Sequence, residues 1–271
     1  MSATMPGLGE ILAHTRERVA ARKNQYPLER LLASAPTPGA RRPFCRALTS
    51  GDRPNVIAEF KRRSPSRGLI RDDLHPVNVA QAYEVAGAAA LSVLTEEDFF
   101  GGCLDDLQQA RYGTLLPTLC KDFVVDPYQV REAWIAGADA VLLIVAALSD
   151  AELRDLQALA ADLGLDALVE VHDAAELDRA LGVGARLVGV NSRDLRSMTV
   201  RLETALELAD RIPKDVVAVA ESGIRSGRDI ARLRTAGYRG FLIGEHLMRA
   251  PDPRQALEGL LAETQREEVG R

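Results

Sequence analysis

Thirty-four basic residues divide into 30 arginines and only four lysines, Lys23, Lys61, Lys121 and Lys214. Arginine stays protonated in proteins, whereas a lysine can be tuned to give and take a proton. Lys61 closes an apolar run in IAEFKRRSPSRG (57–68), two residues after Glu59 and so on the same strand face. Lys121 closes a second run in LCKDF, and Glu170 sits between Val169 and Val171 in ALVEVHD. Charges on the inner face of a buried strand are costly unless paired or used. Burial by itself raises a carboxyl pKa and lowers an amine pKa, so both types are expected to move toward the range of general acid–base catalysis. Asn191 and Arg193 in VGVNSRDL offer an amide and a guanidinium for a carboxylate or hydroxyl. Glu221 followed by Ser222-Gly223, and Gly244 in LIGEHLM, end two further apolar runs. Small residues at such positions suit phosphate held by backbone N–H groups, and Ser64 is a further candidate hydroxyl donor. Two lysines, two or three glutamates, an Asn/Arg pair and a phosphate cradle suit a phosphorylated substrate with a second anionic group. The matching chemistry is acid–base work at carbon.

These residues need elements that bring strand ends together. Eight short apolar runs recur: 55–60, 90–94, 114–120, 140–145, 166–171, 186–190, 216–220 and 240–244. Several are apolar on both alternating positions, as strands buried on both faces should be. Helical patterns separate them, at about 76–87, 104–111, 127–136, 149–163, 173–182, 201–210, 226–236 and 253–266. Ser149/Glu152, Asp173/Glu176 and Ser226/Asp229 have capping-box spacing, and Pro127 and Pro253 suit a first helical turn. The pattern predicts an α/β fold, a (β/α)8 TIM barrel with an N-terminal helical extension. A doubly wound sheet is the alternative, but no G-x-G-x-x-G follows the first strand. The chain is expected to be one domain, with residues 1–54 as extension and 55–266 as barrel. The extension either closes the barrel bottom or covers the active mouth, and the pattern leaves both open.

Composition narrows the field. A chain of 271 residues with 46% hydrophobic content can build a sizeable core. No apolar run reaches the ~18 residues of a membrane helix, and the start lacks a signal-peptide layout. A net charge of −5 argues against a broad nucleic-acid surface. Cys45, Cys103 and Cys120 are odd in number and scattered, and the four histidines form no close pair. Reduced thiols in a cytoplasmic protein without a metal site are therefore expected.

Taken in order and spacing, VIAEFKRRSPSRG, LSVLTEEDFFGG, LCKDFVVDPYQV, GADAVLLIV, LVEVHD, VGVNSRDL, VAESGI and FLIGEHLM resemble the motifs of indole-3-glycerol phosphate synthases. The resemblance runs from about residue 8 to 265. It implies ring closure, decarboxylation and dehydration of 1-(2-carboxyphenylamino)-1-deoxyribulose 5-phosphate, a step of tryptophan biosynthesis needing no cofactor or metal. On this resemblance Lys121 is the general acid and Glu170 the base of dehydration. Lys61 is a second catalytic or carboxylate-binding amine, and Glu59 and Asn191 position groups, with Arg193 nearby. Ser64, Glu221, Ser222, Gly223, Gly244 and the backbone of Glu245 bind substrate around the phosphate. Phe100, Phe123 and Leu142 wall the anthranilate ring. The Glu245 side chain is expected to turn away from the phosphate, and Arg63 to face outward. The resemblance implies the monofunctional form, acting on a small phosphorylated molecule as a monomer or weak homodimer, with no nucleic-acid or membrane partner. A related phosphate-binding barrel isomerase, a Schiff-base aldolase using Lys121, and a non-catalytic binding protein are the competing readings.

Overall fold

The computed structural model describes residues 7–33, 35, 40–51, 53–65, 67–194 and 198–269. Eight parallel strands close into a barrel: β1 (Asn55–Phe60), β4 (Ala90–Leu94), β5 (Thr118–Lys121), β6 (Ala140–Ile144), β7 (Asp166–Val171), β8 (Leu187–Asn191), β9 (Val217–Glu221) and β10 (Gly240–Ile243), with β10 pairing back onto β1. Two short strands, β2 (Arg63–Ser64) and β3 (Gly68–Leu69), form a hairpin above β1. Strands β4, β6 and β8 are buried at every position, one face on the lumen and the other under helices.

The helices follow from local signals. Ser149 caps α7 (Asp150–Asp162), accepting from the Glu152 N–H while the Glu152 carboxylate returns to the Ser149 N–H at 2.7 Å. Its Leu153, Leu156 and Ala160 recur at three and four residues and are buried. Ser226 and Asp229 form the same box on α10 (Gly227–Thr235). Pro76 opens α4 (Pro76–Ala86), and Gly87, at φ 93°, ends it in the left-handed conformation. The remaining barrel helices are α5 (Leu104–Tyr112), α6 (Pro127–Ile135), α8 (Ala174–Gly182), α9 (Glu203–Leu208) and α12 (Pro253–Val269).

Several boundaries differ from the sequence expectation. The run 114–120 becomes a strand only from Thr118, because Pro117 lacks the N–H a central strand needs and Leu115 lies exposed beside Glu84. Three strands run one residue past the apolar stretch, taking in Lys121, Asn191 and Glu221. A short α11 (Glu245–Arg249), α3 (Phe44–Ala47) and the β2–β3 hairpin were not expected. At α8, Asp173 accepts from the Glu176 N–H as a cap should, but the Glu176 carboxylate goes to His172 instead of returning to the cap.

The extension serves both ends of the barrel. Its first helix, α1 (Leu8–Gln25), lies at the strand C-termini, where Arg18 pairs with Glu97 and Asp98, His14 meets Asp98 at 2.7 Å, and Lys23 meets Asp126 at 2.8 Å. After α2 (Leu28–Ala33) the chain reaches the opposite end. There Arg41 donates to the carbonyls of Trp134 and Ala138, and the Cys45 N–H donates to Asp166 at the start of β7. Phe44 and Leu48 are fully buried beneath the barrel.

Candidate active site

At the strand C-termini opens a cavity of about 810 Å³. Its wall includes Glu59, Lys61, Phe100, Lys121, Phe123, Leu142, Glu170, Asn191, Arg193, Glu221, Ser222, Gly223, Gly244 and Glu245, fourteen of the fifteen residues singled out above. Ser64 lies apart. It is buried in a smaller pocket of about 70 Å³ between α1 and the loop after β1, walled also by Leu8, Ile11, Pro65, Phe100 and Phe123.

The cavity floor is a chain of alternating charges. Lys121 Nζ is 2.8 Å from Glu170 Oε2 and 3.2 Å from Glu221 Oε2. Asn191 Nδ2 donates to Glu170 Oε1 at 3.1 Å, and Asn191 Oδ1 accepts from the Arg193 N–H at 3.0 Å. Lys61 Nζ donates to Glu59 Oε1 at 2.6 Å, beside Ser92 on β4. Two glycines make room for the carboxylates. A Cβ at Gly244 would strike Glu59, and one at Gly189 would strike Glu221.

Pairing, more than burial, sets the protonation of the central pair. Burial would lower the Lys121 pKa, but Glu170, Glu221 and Glu59 together raise it, so the group is an ammonium. Burial would likewise raise Glu170, but Lys121 and His172 hold it well below the usual carboxylate range. The expected drift of both groups toward neutrality is therefore corrected: opposite charges about 3 Å apart outweigh the burial each suffers. Glu221 does follow burial. With Glu170 adding repulsion against the pull of Lys121, its pKa is pushed up to about 8, and its buried Oε1 has no hydrogen-bond partner. The floor thus offers a proton donor, an ionised acceptor and a carboxyl poised near neutrality.

Apolar and cationic groups both line the cavity. Phe100 and Phe123 face each other with centroids 6.0 Å apart and a 44° tilt. Phe100 is presented by a loop folded on buried Glu96, which accepts from the N–H groups of Asp98, Phe99 and Phe100. Across the cavity, Ser222 (φ 63°) and Gly223 (φ 83°) are both left-handed. That conformation costs a non-glycine residue such as Ser222 roughly 1–2 kcal/mol, the kind of strain kept at functional turns. Arg67, Arg225 and Arg249 line the same region, a cationic rim the motif reading missed. The Glu245 carboxylate does not turn away as expected. It lies on the cavity wall, 2.9 Å from Arg67 and 3.5 Å from Arg193, because these guanidiniums neutralise it there. Arg63 is exposed, as alternation suggested.

His172 is the other group the sequence reading passed over. It reaches Glu170 from outside the cavity lining, although its spacing two residues after Glu170 was a visible signal. Among the described residues no cluster of three or more His, Cys, Asp or Glu could hold a metal ion, and no helix is long and apolar enough to cross a membrane.

Comparison with known proteins places this geometry. The family described as indole-3-glycerol phosphate synthase matches residues 8–260. Two curated relatives carrying that name, from two strains of Acidithiobacillus ferrooxidans, are each 50% identical over 256 residues, covering 93% of this chain and 97% of theirs. Among solved structures, thiamine phosphate pyrophosphorylase from Pyrococcus furiosus superposes with TM-score 0.59 at 19% identity, over 78% of this chain and 96% of that one. A mandelate oxidase mutant with a C4a-OH-FMN adduct superposes with TM-score 0.61 at 20% identity, over 80% of this chain and 74% of that one. At such identities the two structures speak for the barrel alone. The sequence matches go further, and by them the chain belongs to the indole-3-glycerol phosphate synthase family.

Proposed function

We propose that this chain converts 1-(2-carboxyphenylamino)-1-deoxyribulose 5-phosphate to indole-3-glycerol phosphate, CO2 and water, as a carbon–carbon lyase of tryptophan biosynthesis. The observation that carries the reading is Lys121, an ammonium set between Glu170 and Glu221 on the floor of a cavity lined by aromatic and cationic groups.

The phosphate binds near Ser222, Gly223 and Gly244, with Arg67, Arg225 and Arg249 in reach. The anthranilate ring enters between Phe100, Phe123 and Leu142. Its carboxylate is met by Lys61, whose charge Glu59 positions. This arrangement holds the aromatic carbon and the ribulose carbonyl in one orientation, which lowers the entropic part of the barrier. Lys121 donates a proton to the carbonyl oxygen as the new carbon–carbon bond forms. Breaking the bond to the carboxylate releases CO2 and returns its electron pair to the ring. Lys121, reprotonated from solvent, gives the second proton that converts the new hydroxyl to departing water, and Glu170 accepts the ring proton whose loss completes the indole. An arginine guanidinium is not deprotonated in proteins, whereas the Lys121 ammonium passes its proton on as bond formation places negative charge on the carbonyl oxygen beside it.

Incubation with this substrate, followed by indole fluorescence and CO2 release, tests the reading. Equimolar product and CO2 are expected, and no turnover by folded protein would refute it. Inorganic phosphate should inhibit competitively, and a non-competitive pattern would displace the assigned cradle. Borohydride should trap no adduct on Lys121, since a trapped one would favour Schiff-base chemistry.

A further inference from the structure

Glu170 is gripped from two sides. From the cavity come Lys121 at the end of β5 and Asn191 at the end of β8, while Glu221 at the end of β9 repels it and, with Glu59 of β1, acts on Lys121. From behind comes His172, whose Nε2 lies 3.2 Å from Glu170 Oε1, the two approaching out of hydrogen-bond alignment. The other ring nitrogen, Nδ1, is 3.0 Å from Glu176 Oε2, and the same oxygen accepts the His172 backbone N–H at 2.8 Å. Glu176 is itself fixed in the first turn of α8, where its N–H donates to Asp173 at 2.9 Å. Ring and clamp are mostly buried, with side chains 12% and 18% exposed.

We propose that His172, clamped by Glu176, is a positioning residue that orients the Glu170 carboxylate from behind and keeps it ionised while Lys121 gives up its proton. The inference rests on the reading of Glu170 as the base. Both ring nitrogens lie within 3.2 Å of carboxylate oxygens, so a neutral ring would set an unprotonated nitrogen beside an anion. The imidazolium sets a positive charge beside both carboxylates. Burial works against that charge, but Glu170 and Glu176 overcome it and push the His172 pKa up to about 10. The consequence is specific to catalysis. When Lys121 transfers its proton, Glu170 loses the charge of its nearest cation at 2.8 Å. Glu221, pushed up to about 8, supplies no replacement, and Asn191 is neutral. His172 is the cation that stays, so Glu170 remains an acceptor for the later step. The diverted capping carboxylate of α8 has the same explanation, since Glu176 serves the histidine rather than the helix end.

His172→Gln keeps a polar tip and removes the charge. It should lower kcat roughly tenfold with KM within about twofold, less than the ~10²–10⁴ of a direct acid or base because His172 acts through Glu170. The acidic limb of the kcat profile should move up by about one pH unit, because Glu170 then protonates more easily. Glu176→Gln should move the limb the same way by less. A His172→Gln enzyme that keeps the wild-type acidic limb would overturn the proposal, whatever its rate. Nitrogen-15 imidazole spectra of the whole protein provide an arm independent of turnover. His172 should stay doubly protonated above pH 8, and Glu170→Gln should bring its midpoint down. An ordinary histidine midpoint, indifferent to Glu170, would also overturn it. Wild-type protein without turnover would instead defeat the reading of the reaction, leaving the spectra to decide the His172–Glu170 coupling.

Discussion

Replacing Lys121 by arginine separates two things the ammonium does. One is electrostatic: it neutralises Glu170 at 2.8 Å and lies 3.2 Å from Glu221 in a site where the side chain is only 13% exposed. The other is chemical: it donates a proton. A guanidinium keeps the first and loses the second. Truncation to alanine would confuse them, because removing one partner of a buried ion pair costs about 3–5 kcal/mol. Arginine retains the charge, and its extra bulk costs about 1–3 kcal/mol if the site repacks poorly. Loss of a general acid lowers turnover by about 10²–10⁴. At about 1.4 kcal/mol per factor of ten, that is roughly 3–5 kcal/mol of transition-state stabilisation. The assay is steady-state indole fluorescence on Lys121→Arg, alongside circular dichroism and thermal unfolding to show that the barrel is intact. Phosphate inhibition should persist, since the cradle lies on other strands. A folded Lys121→Arg enzyme with turnover within about fivefold of wild type would refute the reasoning, placing the donor elsewhere in the cavity.

Glu170→Gln preserves the shape that Asn191 and Lys121 hold but removes the acceptor, and should lower kcat by roughly 10² or more. An unchanged kcat would reassign the base. Gly244→Ala should break the Glu59–Lys61 pair, because the added methyl meets Glu59; kcat/KM should fall at least tenfold, consistent with a misplaced positioning group, and wild-type kinetics would show that Glu59 is dispensable. Glu221→Gln tests the raised carboxyl. A folded pKa pushed up to about 8 from 4.5 gives stability that is fully present below the unfolded value and lost as pH rises through 8. Glu170 has the opposite sign, its contribution being lost only in acid. Thermal unfolding between about pH 6 and pH 9 should therefore fall less steeply in Glu221→Gln than in wild type. Parallel curves would mean that Glu221 is already ionised in the folded protein.

The alternation rule made most of the site legible. Glu59 and Lys61 two apart, Lys121 after an apolar run and Glu170 within one were visible because polar groups at such positions have few uses other than pairing or catalysis. What it missed has identifiable causes. The apolar runs end one residue too soon at Asn191 and Glu221, because hydrophobicity stops at the lumen mouth while the backbone ladder continues. Arg67, Arg225 and Arg249 fall in loops whose direction no periodicity describes. The histidines enter the sequence reading only as candidate metal ligands, and His172 has as a partner a helix residue whose spacing points to a cap.

The sequence by itself determined the βα alternation, the strand ends that carry charge and the family. These depend on local periodicity and on which residue types occupy fixed spacings. The closure of the sheet decided the rest. Only when β10 meets β1 do Glu170 and Glu221, from two other strands, come within 3.2 Å of the Lys121 ammonium. The protonation states depend on those separations, because Coulomb energy falls with distance and desolvation depends on what surrounds the group. Burial alone predicts a weakened amine and a raised carboxyl. The assembled barrel produces an ion pair at Lys121 and Glu170 and moves the raised carboxyl to Glu221. Likewise one extension flanks the mouth with α1 and seals the far end with Phe44 and Leu48, a division that depends on where the chain crosses the barrel.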